Sequence, residues 1–335
     1  MTALRAAVLG TGAWGTTFAA VLADAGCDVA LWGRNAAVCG QITAEHRNDA
    51  YLPGIELPAG ITASTDPGSV LAGAGLVAIA VPAQSARATL EPMRALVGPQ
   101  AVAVSLMKGV ELSTDSRMSE VIAAALGVPP DRVAVLSGPN LAREIAERQP
   151  TATVVAATSE KTAQFVARAC ASATFRPYTN TDVVGVELCG AVKNIIAVAV
   201  GIAQGRGLGF NTMATVITRG LAEITRLGLA LGADADTFPG LAGMGDLMAT
   251  CASPLSRNHS LGVRIGQGMT LDEAIIATGG TAEGVKTSRS VLELATRIGV
   301  EMPITAAVVA VLHAGLPVAE LAPLLLARPH KAEGA

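Results

Sequence analysis

The stretch Gly-Thr-Gly-Ala-Trp-Gly at residues 10–15 follows directly on a short apolar run, residues 6–9, and leads into a helix-length segment. A strand, three glycines at this spacing and a helix are together typical of a dinucleotide-binding turn. Gly10 allows the tight turn, Gly12 lets a pyrophosphate approach the backbone, and Gly15 lets the helix pack close to the strand. Free N–H groups at the helix start would then bind phosphate oxygens. We therefore predict a bound dinucleotide, against the alternative of an ordinary strand-to-helix turn without a ligand.

Apolar runs alternate with helix-length segments through the first half of the chain. Further runs with strand character lie at residues 29–32, 76–81, 101–105, 133–136, 153–157 and 174–178. Helix-like segments lie at residues 14–25, 84–96 and 160–171. Continuous apolar strands between helices predict βαβ units, and hence an α/β fold whose mostly parallel sheet carries helices on both faces.

The pattern changes near residue 180. From there to about residue 326 the apolar period is mainly helical, and Pro303 is typical of a proline in the first turn of a helix. The sequence therefore predicts a Rossmann-type dinucleotide-binding domain over residues 1–180 and an all-α, substrate-binding domain over residues 181–326. A polar tail follows over residues 327–335.

The composition and charge of the chain exclude several classes of function. Of the 335 residues 51% are apolar and 15% are charged, and the formal net charge of −3 offers no basic surface for nucleic acid. The five cysteines and four histidines lack metal-ligand or disulfide spacing, so we predict no metal. The longest apolar stretch, residues 191–203, is interrupted by Lys193 and Asn194 and is too short to span a bilayer. No signal-peptide pattern is seen, and we expect a cytoplasmic protein without a membrane span.

The tip of the second predicted strand bears on the choice between the two nicotinamide cofactors. An acid there would bind a ribose 2′-hydroxyl, whereas an arginine suits a 2′-phosphate. Here the strand ends Leu-Trp-Gly-Arg-Asn at residues 31–35, without Asp or Glu at the tip. Arg34 would pair with a 2′-phosphate, although an exposed arginine that merely opens the next helix is the alternative. We expect NADPH, with NADH tolerated.

One lysine sits in an almost wholly apolar helix. Lys193 lies within residues 185–200, and its neighbours at helical spacing include no acid. Such a lysine must extend its amine to solvent, find a partner elsewhere in the fold, or lose part of its proton affinity. Weakened proton affinity suits a general acid for carbonyl reduction, so Lys193 is a candidate catalytic residue. A solvated lysine at the helix edge is the alternative.

Three further segments are unusually polar or rich in glycine. Lys108 follows the end of a predicted strand, residues 136–140 contain a Gly-Pro turn, and residues 240–246 form a glycine-rich loop that ends in an acid. A polar cluster with one arginine follows at residues 256–259. Each alone is typical of a capped turn. Together they supply two lysines, an arginine and a carboxylate, which would suit a small phosphorylated substrate.

Taken in order, these motifs resemble those of the bacterial-type NAD(P)-dependent glycerol-3-phosphate dehydrogenases. The motifs that carry the resemblance lie at residues 10–16, 31–34, 137–139, 185–194, 217–223, 243–247, 256–258 and 283–285. The resemblance runs from about residue 6 to about residue 326 and implies reversible reduction of dihydroxyacetone phosphate to sn-glycerol 3-phosphate for glycerophospholipid synthesis. It also implies a homodimer.

The resemblance assigns roles to individual residues. It implies that Lys193 is the catalytic lysine. The implied substrate-binding residues are Lys108, Gly138, Asn140, Lys193, Asp246, Ser256, Arg257 and Asn258. The implied cofactor-binding residues are Gly10, Gly12, Ala13, Trp14, Gly15, Arg34, Lys108, Ala142, Arg257, Thr281 and Glu283. Ala13, Asn140 and Thr281 depart from the serine, the serine or threonine, and the valine that are usual there.

Two other functions stay open at this point. One is a different two-domain dehydrogenase, related to the 6-phosphogluconate or ketopantoate enzymes. The other is a nonenzymatic redox sensor that binds NAD(P)H. A sensor has no evident need for a lysine as costly to bury as Lys193, which weighs against it.

Overall fold

The computed structural model describes residues 3–112, 114–279 and 282–321. Thr281, the end of the predicted helical domain at residues 322–326, and the predicted polar tail at residues 327–335 lie outside this part. Two groups of elements follow one another along the described chain. The first contains all eight strands and the second is helical.

A single sheet of eight strands organises the first part. The strands are β1 (Arg5–Leu9), β2 (Asp28–Trp32), β3 (Thr62–Ser64), β4 (Leu76–Ile79), β5 (Val102–Ser105), β6 (Val133–Ser137), β7 (Thr151–Ala157) and β8 (Phe175–Asn180). Their order in the sheet is β3-β2-β1-β4-β5-β6-β7-β8, and every pairing is parallel except that of β6 with β7. The order reverses between β1 and β4, and ligands of open α/β sheets bind outside the carboxyl ends of the strands at such a point.

Helices pack on both faces of this sheet. They are α1 (Ala13–Asp24), α2 (Ala36–Glu45), α3 (Pro67–Leu71), α4 (Ala86–Leu90), α5 (Met118–Leu126), α6 (Ala142–Ala146) and α7 (Glu160–Cys170). Alternate residues of β1 enter different cores, Ala6 and Val8 on one face and Ala7 and Leu9 on the other. The predicted mostly parallel sheet with helices on both faces is therefore confirmed.

Two local features differ from the sequence prediction. The apolar pattern does not reveal β3, because its three residues, Thr62–Ser64, form a polar edge strand without a fully buried side chain. The predicted helix over residues 84–96 is broken into α4 with a 3₁₀ turn on each side, Ala83–Ser85 and Glu91–Leu96. Pro92 is the second residue of the later turn, and it interrupts the α-helix because a proline lacks the N–H that a continuing α-helix needs.

The second part of the chain is helical, as predicted. Its helices are α8 (Val183–Gly205), α9 (Phe210–Ala230), α10 (Asp246–Ala252), α11 (Arg257–Gly266), α12 (Leu271–Ala277), α13 (Glu283–Arg297) and α14 (Pro303–His313). The last strand ends at Asn180 and α8 begins at Val183, close to the predicted domain boundary, but the division into two domains stays a prediction. A π-helical turn, Leu241–Gly245, leads directly into α10.

The long helix α8 forms the centre of the helical part. The apolar stretch 191–203 covers only the middle of α8, which has 23 residues. The sequence prediction, which took this stretch as too short to span a bilayer, therefore underestimated the length of the helix. Of the described helices, α8 alone is long and apolar enough to cross a membrane, with a mean hydropathy of 1.9. However, 94% of that window is buried inside the protein. Its apolar surface therefore serves as packing surface for the surrounding helices.

Glycines let α11 cross α8 at very short range. A Cβ added at Gly201 of α8 would lie 2.2 Å from the carbonyl oxygen of His259, and one at Gly205 would lie 2.2 Å from that of Val263. On α11, a Cβ added at Gly262 would lie 2.2 Å from the Val198 carbonyl oxygen. This backbone contact fixes the start of α11 relative to α8.

Candidate active site

The glycine-rich turn has the geometry that its spacing predicts. Gly10 has a φ of +127°, and a Cβ there would lie 2.5 Å from the Ala80 carbonyl oxygen. A Cβ on Gly15 would lie 2.0 Å from the Gly10 carbonyl oxygen, so neither position admits a side chain. A Cβ on Gly12 meets no atom of the described part of the chain within 4 Å. The turn is thus packed tightly against the sheet at two glycines and open at the third.

The open side of this turn fits a phosphate group. Gly12 is the N-cap of α1, no side chain caps this helix, and its first turn carries no acidic residue. The N–H groups of a helix start are then available to an anion, and the helix dipole favours negative charge there. Trp14 packs near Phe18 with ring centroids 5.9 Å apart, and its indole Nε1 is buried without a hydrogen-bond partner among the described residues.

Arg34 lies beyond the end of β2 and is exposed. The next residue, Asn35, caps α2, and its side chain accepts hydrogen bonds from the backbone N–H groups of Ala37 and Val38 at 3.0 and 3.4 Å. The guanidinium is therefore the cation at the tip of β2, the position where a 2′-phosphate would be recognised.

One carboxylate joins two lysines at the centre of the candidate site. Asp246, at the start of α10, places Oδ2 2.6 Å from Lys108 Nζ and Oδ1 2.8 Å from Lys193 Nζ. The three side chains are only 15%, 7% and 2% exposed for Lys108, Lys193 and Asp246. Of the possibilities open for Lys193, the structure selects a partner from another helix. Lys108 follows β5, so this cluster links the sheet to the helical part.

Gly190 makes room for Lys108 to reach this carboxylate. A Cβ added at Gly190 would lie 2.9 Å from Ser137 Oγ and 3.4 Å from Lys108 Cγ. Lys108 Nζ also donates to the Gly138 carbonyl oxygen at 3.2 Å. Burial lowers the Lys108 pKa to about 8, with a smaller contribution from the positive charge of Lys193, while Asp246 opposes the shift.

Thr250 belongs to the same cluster although the sequence gives no signal for it. Lys193 Nζ donates to its hydroxyl, and the hydroxyl lies 3.3 Å from Asp246 Oδ1. Thr250 follows Asp246 by one helical turn, and this relation becomes visible only when residues 246–252 are known to form a helix. It holds the Lys193 amine from a second direction.

The turn after β6 carries three further candidate residues. Asn140 Nδ2 donates to Thr153 Oγ1 at 3.0 Å. The Ala142 carbonyl oxygen accepts a hydrogen bond of 3.1 Å from Thr17 Oγ1, which attaches the start of α6 to α1. Gly138, through its carbonyl, contacts Lys108 directly. This turn thus lies between the glycine-rich turn and the lysine cluster.

The polar segment at residues 256–258 starts α11. Ser256 Oγ caps the helix by accepting from the His259 N–H at 3.2 Å. Asn258 Nδ2 donates to Asn194 Oδ1 and Asn258 Oδ1 accepts from the Gly284 N–H, each at 3.0 Å. The Asn258 amide therefore joins α8, α11 and α13, while Arg257 is exposed.

Glu283, the first residue of α13, is a further acidic group whose charge acts on the lysine cluster. Burial raises the pKa of its carboxyl group, although a hydrogen bond with the Ala83 backbone and the positive charges of Arg257, Lys108 and Lys193 act in the opposite direction. The electrostatic coupling places it near both lysines. Its predicted neighbour at residue 281 lies outside the described residues.

The structure joins some of the predicted residues by direct contacts and leaves others apart from them. Lys108, Gly138, Lys193 and Asp246 are joined by direct contacts, with Glu283 coupled to them by charge. Among the described residues, no hydrogen bond or ion pair links Ala13, Trp14, Arg34, Ala142 or Ser256 to this cluster. The described residues also contain no group of three or more His, Cys, Asp or Glu side chains that could hold a metal ion.

Comparison with known proteins identifies the family. Residues 5–163 match the family model described as NAD-dependent glycerol-3-phosphate dehydrogenase N-terminus, and residues 182–323 match the corresponding C-terminus. A protein of Streptomyces griseus named glycerol-3-phosphate dehydrogenase [NAD(P)+] is 60% identical over 312 residues, 93% of either chain. A protein of that name from Corynebacterium diphtheriae is 56% identical over 331 residues, 98% of this chain and all of its own.

A solved structure supports the same assignment. The crystal structure of glycerol-3-phosphate dehydrogenase from Coxiella burnetii is similar with a TM-score of 0.92 at 37% identity. The similarity covers 97% of this chain and 99% of that one. Both halves of the sequence, in order and over nearly their whole length, thus match one kind of protein. The chain belongs to the NAD-dependent glycerol-3-phosphate dehydrogenase family.

Proposed function

We propose that the chain reduces dihydroxyacetone phosphate reversibly to sn-glycerol 3-phosphate with a nicotinamide cofactor, in support of glycerophospholipid synthesis. The observation that carries this proposal is the buried Lys108–Asp246–Lys193 cluster, with ion-pair distances of 2.6 and 2.8 Å, in a chain that also has a glycine-rich turn whose open side fits a phosphate group. Family membership makes the chain an NAD(P)-dependent oxidoreductase, in place of a nonenzymatic sensor or a 6-phosphogluconate or ketopantoate enzyme.

Lys193 is the proposed general acid. When bound, a reduced nicotinamide supplies a hydride to C2 of the ketone. Negative charge then develops on the carbonyl oxygen, and Lys193 Nζ donates a proton to it, which leaves the alcohol and a neutral amine that solvent reprotonates. A positioned acid of this kind accelerates a reaction by roughly 10²–10⁴-fold. Asp246 and Thr250 orient the amine.

Positively charged groups are proposed to hold the rest of the substrate. Arg257, with Ser256 and Asn258, binds the phosphate group, since a guanidinium offers paired donors to phosphate oxygens. Lys108 binds the substrate oxygens beside Asp246. Gly138 and Asn140 complete the substrate-binding set. The glycine-rich turn, Ala142 and Glu283 contact the cofactor, and we place Thr281 with them on the family resemblance alone.

Absorbance measurements test the proposal directly. NADPH and NADH oxidation is followed in parallel with dihydroxyacetone phosphate, and NADP⁺ reduction with sn-glycerol 3-phosphate. We expect turnover that depends on this substrate, and none with ketopantoate or 6-phosphogluconate. Tight cofactor binding without turnover on the phosphorylated ketone would contradict the proposal.

NADPH is the proposed preferred cofactor, with NADH accepted. The support is Arg34 at the tip of β2 without an acid beside it. The Arg34→Ala substitution should raise the KM for NADPH by about 10- to 150-fold, because a charge-assisted hydrogen bond of about 1.5–3 kcal/mol is lost, and leave the KM for NADH nearly unchanged. Equal effects on both cofactors would show that Arg34 does not read the 2′-phosphate.

The domain division near residue 180, a cytoplasmic location and a homodimer remain proposals as well. The family resemblance supports the cytoplasmic location and the homodimer. Light scattering of the purified protein at several concentrations measures the mass of the assembly. A mass equal to one chain throughout would exclude the dimer.

A further inference from the structure

A fully buried amide side chain contacts the glycine-rich turn from behind. Asn48, in the loop between α2 and β3, has no exposed surface. Its Nδ2 donates to the Thr11 carbonyl oxygen at 2.9 Å and to Thr16 Oγ1 at 2.8 Å. Thr16 Oγ1 in turn lies 3.3 Å from the same carbonyl and donates to it. Two side chains thus converge on one peptide oxygen of the turn.

The orientation of this amide follows from its partner. A carbonyl oxygen only accepts hydrogen bonds, so the NH₂ side of Asn48 must face Thr11. Asn48 Oδ1 is then buried without a hydrogen-bond partner in the part of the chain that the structure describes. An unpaired buried acceptor costs stability. The Asn48 amide thus holds the Thr11 carbonyl in place, although its own Oδ1 stays unpaired among the described residues.

Fixing the Thr11 carbonyl also fixes the next N–H group. The peptide unit between Thr11 and Gly12 is planar and trans, so its C=O and N–H groups point in opposite directions. With the carbonyl held towards Asn48, inside the protein, the Gly12 N–H faces away from it. Within the described ranges no backbone acceptor receives that N–H. A Cβ on Gly12 would meet open space, so this side of the turn has room for a ligand.

Asn48 is itself held firmly in place. Its carbonyl oxygen accepts from the Leu52 N–H at 2.7 Å. A bridge between Arg47 and Glu56 closes the loop around it, and the side chains of Leu52 and Leu57 are buried in the core on one face of the sheet. These contacts therefore hold the backbone of Asn48, and with it the start of its side chain, in a fixed position.

We infer that Asn48 is a positioning residue for the cofactor, which acts through Thr11 by directing the Gly12 N–H toward the pyrophosphate. This inference rests on the proposed binding of a dinucleotide at the turn. Thr16 shares the role, because its hydroxyl bonds both Asn48 and Thr11. Asn48 is separated from Thr11 by 37 residues in sequence, so local spacing gives no hint of the contact.

Two variants with the same number of side-chain heavy atoms as the native residues test this role. Asn48→Leu removes the amide donor, and Thr16→Val removes the hydroxyl. The dissociation constant for NADPH is measured by its fluorescence, well below the unfolding temperature of each variant. We expect an increase of about tenfold for Asn48→Leu, corresponding to the loss of one or two hydrogen bonds, and a smaller increase for Thr16→Val. The KM for dihydroxyacetone phosphate at saturating NADPH should stay close to the wild-type value.

Thr162→Val is the matched control. Thr162 is also buried and donates to a backbone carbonyl, that of Asp131 at 2.7 Å, but it lies on α7, away from the turn. It should lower the unfolding temperature and leave NADPH affinity unchanged. NADPH dissociation constants within twofold of wild type in a folded Asn48→Leu, or in Thr16→Val if Asn48→Leu does not fold, would overturn the inference. A wild-type protein that binds neither NADPH nor NADH would instead refute the proposed function.

Discussion

At the scale of single residues, the candidate site depends on a charge imbalance. Lys108 and Lys193 share the one carboxylate of Asp246, so these three ion-paired side chains taken alone carry a net positive charge away from bulk water, and Glu283 adds a further carboxyl group coupled to both lysines by charge. Removing such a charge from water is costly unless a ligand compensates it. An anionic substrate, and the negative charge that develops on a carbonyl oxygen during reduction, would supply that compensation.

Loss of the Lys193 amine should affect turnover far more than cofactor binding. We expect Lys193→Ala to lower kcat by roughly 10²–10⁴-fold, the usual contribution of a positioned acid. The NADPH dissociation constant should stay nearly unchanged, because the glycine-rich turn is intact. Lys161→Ala, an exposed lysine on α7, serves as the control. Near-normal kcat in Lys193→Ala would remove this residue from the chemistry.

The lowered pKa of Lys108 predicts a pH dependence of substrate binding. With a pKa of about 8, Lys108 is charged below this pH and loses its proton as the pH rises through it. The KM for dihydroxyacetone phosphate should therefore rise above pH 8. In Lys108→Arg the rise should disappear, since a guanidinium stays protonated, even if kcat is lower. A KM profile with the same alkaline rise in both proteins would assign the titration to another group.

At the scale of elements, the contact between α8 and α11 sets the distance between Lys193 and the segment that we propose to bind the phosphate group, residues 256–258. Lys193 lies on α8, and residues 256–258 begin α11. The two helices approach so closely because glycines face each other across the contact. Small residues at a helix crossing permit backbone-to-backbone packing that larger side chains would prevent.

A methyl group at this crossing should disturb stability and substrate binding together. In Gly201→Ala the new Cβ would lie 2.2 Å from the His259 carbonyl oxygen, so the helices must separate. We expect a loss of about 1–3 kcal/mol in the free energy of unfolding, as for other overpacked cores, and a higher KM for dihydroxyacetone phosphate. Both are measured by denaturant titration and steady-state kinetics.

Gly40→Ala provides the comparison for that variant. Gly40 lies on the exposed side of α2, and a Cβ there meets no atom within 4 Å. Alanine is the better helix former, so this variant should gain about 0.5–1 kcal/mol of stability. If Gly201→Ala is as stable as the wild-type protein and its KM is unchanged, the helix crossing has space for a methyl group.

At the scale of the whole molecule, buried polar contacts join distant parts of the chain. Glu187 of α8 accepts from the Ser119 N–H at 2.8 Å and from Arg117 at 3.0 Å, at the start of α5. Val110, just after β5, packs into the core of the helical part. These contacts fix the sheet against the helices, and the candidate site lies where the two meet.

Glu223 makes the stability of the whole fold depend on pH. Its carboxyl group, on α9, accepts hydrogen bonds from the backbone N–H groups of Ile304 and Thr305 at the start of α14. Burial raises its pKa to about 7, against those bonds and the charge of Arg226. A raised carboxyl pKa means that the folded state binds the proton more tightly than the unfolded state does. Its contribution is therefore complete below pH 4.5 and is lost as the pH rises through 7.

Glu223→Gln removes this titration. Between pH 5 and pH 8 the wild-type free energy of unfolding should fall by about 2 kcal/mol relative to that of the variant. Denaturant titrations of both proteins at several pH values provide the measurement. A constant difference between the two across this range would show that Glu223 does not titrate there.

Much of the fold could be predicted because its signals are local. Seven of the eight strands lie at the predicted runs, and the three-residue β3 is missed because it has no apolar run of its own. The positive φ of Gly10 and the close approach of Gly15 to the Gly10 carbonyl oxygen are local to one turn, whereas the contact of Gly10 with Ala80 depends on the packing of the sheet. Thr250 and Asn48 could not be predicted from the residues, because each contributes through a partner that only the fold brings near.

The residue pattern is sufficient to predict most of the strands and helices, the open glycine turn and a lysine in an apolar helix. Hydrophobic periodicity and the steric freedom of glycine are properties of neighbouring residues, so they can be read along the chain. The contacts of Asp246 with Lys108 and Lys193, and that of Asn48 with the turn, follow instead from the packing of the folded chain. Such contacts join residues that are distant in sequence, and they exist only after helices have packed on a sheet whose shape depends on the whole chain.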